Sequence, residues 1–397
     1  MNPLPFVLAM CGAEIVGMLS FAGFQALIPT FAAEWGLTNT DAGWISGVYF
    51  AGYVGAVPVL VSLTDRLDPR RVLVASLLIG GIASLGYALF ADGFWTALVF
   101  RALHGVGLAG TYMPGLKALS DHIDGPRQSR YVAFYTSSFG VGAALSYVIA
   151  GEVATVAGWE WAFAAAAVGS ALAIAITLAV LPASRPGTDV PETHLLDFRP
   201  VLRNRAAMGY ILGYAGHNWE LFAFRSWVVA FLVFAQGLHP DGGIGLNATS
   251  IAAMATLLGV PASIFGNELA VRVGRFRLIV VVMIMAIALS LVLGFASALS
   301  FPLVVALCLV YGVLLTGDSA AITAGTVAAA APGQRGQTLA MHAAVGFMGG
   351  VFGPLAVGIA LDAAGGGTAF GWGVAFIATG FGSVMALAAV VALRRRD

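Results

Sequence analysis

Apolar runs, each about 20 residues or longer and so able to cross the hydrocarbon of a bilayer as one helix, follow one another along almost the whole chain. Read between polar breaks, they fall near 5–34, 42–62, 72–91, 94–116, 130–150, 161–182, 206–236, 247–270, 278–297, 301–323, 338–361 and 371–393. A span with its loop takes about 33 residues, so the 397 present accommodate twelve. Composition supports this reading. Hydrophobic residues make up 59% and charged residues 10%, against roughly 45–50% and about 25% in soluble chains. That little charge cannot cover a soluble surface. The formal net charge of zero gives no support to a nucleic-acid partner. The first run is too long for a signal peptide, and Leu8–Cys11 lacks both a preceding basic residue and a small residue at Met10, so a retained helix is expected. Cys11 and Cys308 fall in spans at different depths, which argues against a disulfide between them.

Orientation follows from basic residues. Of the 19 Lys and Arg, 17 lie on the side where even-numbered spans end, from Arg66 to Arg396, and the other two, Arg101 and Arg225, lie inside spans. This asymmetry assigns that side, with both termini, to the cytoplasm. A Pro-, Arg- and Asp-rich stretch, 183–205, divides the chain into a six-span bundle over 1–182 and another over 206–397. The halves repeat. Thr64-Asp65-Arg66-Leu67-Asp68-Pro69-Arg70-Arg71 after span 2 has a counterpart in Gly266-Asn267-Glu268-Leu269-Ala270-Val271-Arg272-Val273-Gly274-Arg275 after span 8, and Gly125-Pro126-Arg127-Gln128 after span 4 has one in Pro332-Gly333-Gln334-Arg335 after span 10. Repeats of this kind are the internal symmetry of secondary transporters.

On these residues the chain resembles the major facilitator superfamily. The loop after span 2 is similar to that family's Gly-x-x-x-Asp-Arg-x-Gly-Arg-Arg, with Val61 and Asp68 where glycines stand and Pro69 displacing the first arginine. The second copy keeps Arg272, Gly274 and Arg275, has Val271 for the aspartate, and carries Gly266 one residue early. Arg101-Ala102-Leu103-His104-Gly105-Val106-Gly107 in span 4 is similar to the family's Arg-x-x-x-Gly-x-Gly. The Asp-Arg-Leu-Asp-Pro-Arg-Arg form resembles the small-anion branch of cyanate and nitrate type, although the nitrate carriers' arginines in spans 2 and 8 have no match. Span 5 lacks the Gly-Pro of drug/proton antiporters; Gly353-Pro354 stands in span 11 instead. The resemblance implies an all-α membrane fold of twelve transmembrane helices in two pseudo-symmetric six-helix bundles, with spans 1, 4, 7 and 10 lining a central cavity and 3, 6, 9 and 12 facing lipid.

An ionisable group in the bilayer core costs at least roughly 2.5–3.5 kcal/mol, so each one needs an account. They are Glu14 in span 1, Arg101 and His104 in span 4, His217, Glu220 and Arg225 in span 7 and Asp318 in span 10, with His342 nearer an end of span 11; spans 3, 6, 9 and 12 hold no charge. A rise of roughly 1.5 Å per residue puts Arg101 and Arg225 at one depth, about 6 Å to the periplasmic side of the middle, and Glu14 and Asp318 about 9 Å to the cytoplasmic side. His217 and Glu220 share a helix face near the middle. One arginine per half resembles an anion clamp, and one acid per half a proton site or gate.

Bland alternatives stand beside these. Arg101 is either a link to backbone carbonyls or a substrate contact. Arg225 is either a substrate contact or the ion-pair partner of Glu220 or Glu14. Glu220 and Glu14 each either carry a proton or contact substrate, or else form a static salt bridge, and Asp318 either caps a broken helix or carries a proton. Glu14, desolvated among Met18, Phe21 and Phe24, is suited to carry one. His104 reads as a packing residue and His342 as solvated. Asp65 and Arg66 read as a gate latch, His217 as a substrate contact, and the mid-depth hydroxyls of Tyr53, Tyr112 and Tyr214 as secondary substrate contacts.

No Cys/His set has metal spacing and no phosphate-binding glycine loop occurs, which excludes an ATP-driven pump. The expectation is a monomeric, cofactor-free carrier, not an enzyme. It would sit in a bacterial inner (plasma) membrane and move a small anionic solute, with protons, by alternating access. The alternatives are proton-driven efflux of a lipophilic or cationic compound and a non-transporting receptor or scaffold.

Overall fold

The computed structural model describes residues 3–64, 66–123, 128–183, 198–240, 242 and 244–393. Every expected span is helical, and no strand occurs among the described residues. Nine spans are continuous: span 2 (Asn39–Leu63), span 3 (Pro69–Phe90), span 5 (Gln128–Ala157), span 6 (Trp159–Val180), span 7 (Arg205–Leu238), span 8 (Ala248–Val273), span 9 (Arg275–Leu293), span 11 (Arg335–Ala363) and span 12 (Ala369–Ala392). Three are broken. Span 1 is Leu4–Gly17, Gly23–Ala26 and Ile28–Trp35; span 4 is Phe94–Ala109 and Tyr112–Asp121; span 10 is Phe301–Gly317 and Ser319–Ala329.

Helix starts are fixed by side chains that satisfy the first unpaired N–H groups. Asp68 accepts from Arg70 N (3.0 Å), Asn204 from Ala207 N (3.1 Å), Asn247 from Ser250 N (2.8 Å) and Thr368 from Gly371 N (2.9 Å). Large apolar side chains stand outward, among them Phe90 at 67% exposed and Trp95 at 75%. On a soluble protein such a surface would aggregate; against hydrocarbon it is solvated, and this is a multi-pass membrane protein.

The chain forms two compact units, Met1–Leu27 with Val48–Glu192, and Ile28–Gly47 with Thr193–Asp397. The second unit therefore takes in the end of span 1 and the start of span 2, which the sequence repeat groups with the first half. A carboxylate fixes that attachment. Asp362, at the end of span 11, accepts from Asn39 N (3.2 Å) and Nδ2 (2.8 Å) through one oxygen and from Thr40 N (2.8 Å) and Oγ1 (2.6 Å) through the other. It caps span 2 from another helix. Below it the helices touch backbone to backbone, since a Cβ on Gly47 would overlap the carbonyl oxygen of Val351.

In the first unit, spans 2 and 4 meet in the same manner. A Cβ on Gly105 would overlap the carbonyl oxygen of Tyr49, whereas one on Gly55 would meet nothing. Close approach at small residues replaces the hydrophobic drive that lipid does not supply. Gly105→Ala is therefore expected to destabilise the first unit by about 1–3 kcal/mol, and Gly55→Ala to leave stability unchanged or raised. Thermal unfolding in detergent reads both; equal melting temperatures for the two variants would show that the approach of span 4 to span 2 is looser than described.

Candidate functional site

The polar interior of the first unit is organised around the break in span 1. Residues 18–22 leave the helix, and the break frees carbonyls that hydrocarbon cannot solvate. Arg101 supplies the donors. Its guanidinium, fully buried, donates to the carbonyls of Ser20 (3.1 Å) and Phe21 (3.3 Å) and to Gln25 Oε1 (3.1 Å), and lies over the ring of Tyr49 at 4.4 Å. Ala22 N donates to Ser146 Oγ (3.1 Å) on span 5. Of the two readings of Arg101, this is the geometry of the link to backbone carbonyls. His104, one turn on, is buried against Ser84 Oγ (2.8 Å), as a packing residue would be.

Glu14 stands just before that break, 8% exposed. Its Oε2 is hydrogen-bonded to Ser138 Oγ of span 5, and its Oε1 has no partner. Ser138 Oγ also lies 2.6 Å from the carbonyl oxygen of Tyr135. The carboxyl faces a small cavity that Met18, Leu108, Tyr112 and Tyr135 help to line, with the Tyr112 and Tyr135 rings stacked at 6.3 Å.

In the second unit Glu220, 1% exposed, accepts from Tyr311 Oη (2.5 Å) on span 10 and from Ser383 Oγ on span 12. Its carboxyl thus points into the packing of spans 7, 10 and 12. Ser383 lies on a span without a single charge, which hid it from a search for ionisable groups. Tyr311 was legible as a hydroxyl in span 10, but Ser138 and Ser383 resemble any helical serine until their partners are known.

A second polar group of this unit runs from the break in span 10. Asp318 stands at that break, 3% exposed, and its side chain caps neither flanking helix. Its Oδ1 approaches His217 Nδ1 to 3.0 Å, an ion-pairing distance without hydrogen-bond alignment. His217 stacks on Tyr214 (centroids 5.6 Å), and Tyr214 stacks on His342 (4.0 Å). His342 corrects the sequence reading: it is 5% exposed rather than solvated, with Nδ1 3.1 Å from Thr326 Oγ1. The structure thus brings His217, Asp318 and Tyr214 together, and Glu220, one turn from His217, takes other partners.

The remaining sequence-predicted residues are scattered. Tyr53 is buried in span 2, Arg225 is half-buried in span 7, Arg66 is exposed, and Asp65 lies outside the described residues. Neither Glu14 nor Glu220 is ion-paired to an arginine or lysine among the described residues, so the Glu220–Arg225 bridge is not formed. No cluster of three metal-binding side chains occurs among them either.

A family model described as Major Facilitator Superfamily matches residues 10–354. The chain belongs to the major facilitator superfamily. Its fold agrees with solved members. A bacterial homolog to the human lysosomal transporter Spinster, in an inward-facing and unoccupied conformation, superposes with TM-score 0.77 at 15% identity over 99% of this chain and 96% of that one. The nucleoside transporter NupG gives 0.78 at 14% over the whole of both. In sequence the chain is similar to the probable sphingolipid transporter spinster homolog 1 of Arabidopsis thaliana, 24% identical over 49% of this chain and 46% of that protein. It is also similar to the probable L-galactonate transporter of Escherichia coli K12, 24% identical over 57% and 53%. The matched stretch spans about half the length of such relatives. Membership is thus fixed at the level of the superfamily, a family of transporters rather than enzymes, and not at the cyanate and nitrate branch.

For this superfamily chain, the role of Arg101 is tested by removing its fork. Arg101→Lys reaches fewer of the three acceptors with a point charge and leaves buried carbonyls unsatisfied, at about 1–3 kcal/mol each. The melting temperature in detergent is expected to fall; an unchanged melting temperature would return Arg101 to the substrate contacts.

Proposed function

We propose that this chain is a secondary active transporter that moves a small anionic solute across a bacterial inner membrane with protons, by alternating access, with both termini cytoplasmic. The observation that carries the coupling is the treatment of its two buried glutamates. Glu14 and Glu220 are 206 residues apart (220 − 14), the spacing of the sequence repeat, and both are held by hydroxyl groups rather than by cations. A carboxylate removed from water needs a counter-charge or a proton. The contacts of Ser138 are compatible with a protonated Glu14. The Ser138 hydroxyl has one hydrogen and two close acceptors, Glu14 Oε2 and the Tyr135 carbonyl. If the hydrogen goes to Tyr135, the Glu14 contact requires a hydrogen on the carboxyl. Glu14 and Glu220 are therefore the proton carriers of this reading, and Asp318, 3.0 Å from His217, stands beside them as a third buried acid.

Anion recognition falls to Arg225 together with Tyr112 and Tyr214, since the donors of Arg101 are directed to span 1; Asp65 and Arg66 serve as the gate. Relatives named for L-galactonate and, at 27% identity over 39% of this chain, for niacin (Acinetobacter baylyi) accord with a small solute. The Arabidopsis relative named for sphingolipids favours a second reading, transport of a lipophilic compound.

Purified protein in liposomes, screened with radiolabelled small anions under an imposed pH gradient, tests the proposal. Glu220→Gln is expected to keep exchange between equal pools, to lose accumulation, and to melt within a few degrees of the parent, because an amide retains contacts to Tyr311 and Ser383. Accumulation that survives in both Glu220→Gln and Glu14→Gln would overturn the coupling. Uptake of sphingoid bases with none of any anion would overturn the substrate class.

A further inference from the structure

On the arginine-rich side of the second unit, the ends of spans 7, 9, 10 and 12 leave a groove with about 780 Å³ of empty space. Its walls include Tyr210 from span 7, Arg275 and Phe276 from span 9, Ala329 from span 10 and Leu393 from span 12. The floor is apolar: Tyr210 and Phe276 pack on a buried cluster that contains Ile279, Met283 and Ile322. The position of the Tyr210 ring depends on a missing side chain, for a Cβ on Gly325 would overlap it. Against that floor stands one cation. Among the described residues Arg275 Nε has no hydrogen-bond partner and none of the groove's lining side chains is acidic.

The Arg275 guanidinium, partly exposed, meets no acidic side chain among the described lining residues, and an anion in the groove would supply its acceptor. The start of span 9 adds donors at the same place: Gly274, at φ 93°, precedes Arg275 and offers no side-chain cap, so the first N–H groups of the helix lack that partner. Arg205 and Arg277, both exposed, adjoin the lining residues Ala206 and Phe276 in sequence. Cationic donors above an aromatic and aliphatic floor, at the end of membrane spans, match an amphiphile with an anionic head and an apolar body. Basic pockets between transmembrane helices on the cytoplasmic side take lipid head groups in this manner.

We propose that this groove binds the phosphate of an anionic glycerophospholipid, with Arg275 as its fork and the Tyr210–Phe276 floor under the glycerol and first acyl carbons. This site is separate from the buried glutamates and independent of what is transported. The occupant drawn from the membrane is distinguished from a soluble phosphate by which probe binds.

The test uses the full chain, purified in detergent and examined by native mass spectrometry and thermal unfolding with phosphatidylglycerol, with net-neutral phosphatidylcholine, and with inorganic phosphate. Phosphatidylglycerol is expected to form a persistent adduct and raise the melting temperature, and the other two are not. Arg275→Gln should weaken the phosphatidylglycerol dependence at least tenfold while melting like the parent in its absence. Should that variant fail to fold, Ala328→Trp, which fills the groove and leaves the arginine, should lose the adduct in the same way. Equal phosphatidylglycerol adducts in parent and folded variants would overturn the site, as would stabilisation by inorganic phosphate with none by phosphatidylglycerol.

Discussion

A charge inside a helical bundle surrounded by hydrocarbon has no water to fall back on, so groups of the same bundle must satisfy it. The rest of this structure follows from how each case is met. Arg101 is met by backbone: span 1 gives up its helical ladder over 18–22, and the freed carbonyls become acceptors for the guanidinium. The break and the arginine thus account for each other, since neither would be tolerated alone in a dry interior. Glu14 and Glu220 are met by hydroxyls, which neutralise nothing. The missing neutralisation is what a transported proton would supply.

The two units solve equivalent problems with different residues. Glu14 and Glu220 occupy corresponding places in the repeat, yet one leans on span 5 and the other on spans 10 and 12. The helix breaks in spans 1 and 10 have different partners too, an arginine fork in the first and an Asp318–His217 pair in the second. The two polar interiors thus differ in their partners although the sequence repeat relates their positions. The second unit's polar residues also form a stack, His217 on Tyr214 on His342, that joins spans 7 and 11.

Much of the fold was legible because lipid solvation acts on composition over about 20 residues at a time, and the twelve apolar runs became the twelve spans, with spans 4, 5 and 10 ending at Asp121, Ala157 and Ala329, beyond the runs that mark them. The breaks were less legible. Residues 18–22 are as apolar as their surroundings and no proline marks them, so tertiary contacts set that break, whereas Pro114, which cannot donate the helical bond to the Gly110 carbonyl, marks the break at 110–111. Residues 28–47 joined the second unit through Asp362 and close glycine contacts, which a repeat of sequence cannot reveal. At the site, the ionisable residues announced themselves by their rarity in spans, so Arg101, Glu14, Glu220, His217 and Asp318 were found. Their partners Ser138, Ser383 and Gln25 were not, because a serine or glutamine in a helix is unremarkable until the element packed against it is known. His342 was misread as solvated for the same reason: distance from a helix end says nothing about a tyrosine ring lying over it.

In the proposed coupling, protons neutralise Glu14 and Glu220. Infrared difference spectroscopy of the unliganded protein in liposomes, titrated across neutral pH, observes this directly through the carbonyl stretch of protonated carboxyl groups. Two such bands are expected near neutrality, one lost in Glu14→Gln and the other in Glu220→Gln, both disappearing as the pH is raised. Ionised carboxylates at both positions throughout, with no protonated band that either substitution removes, would contradict it.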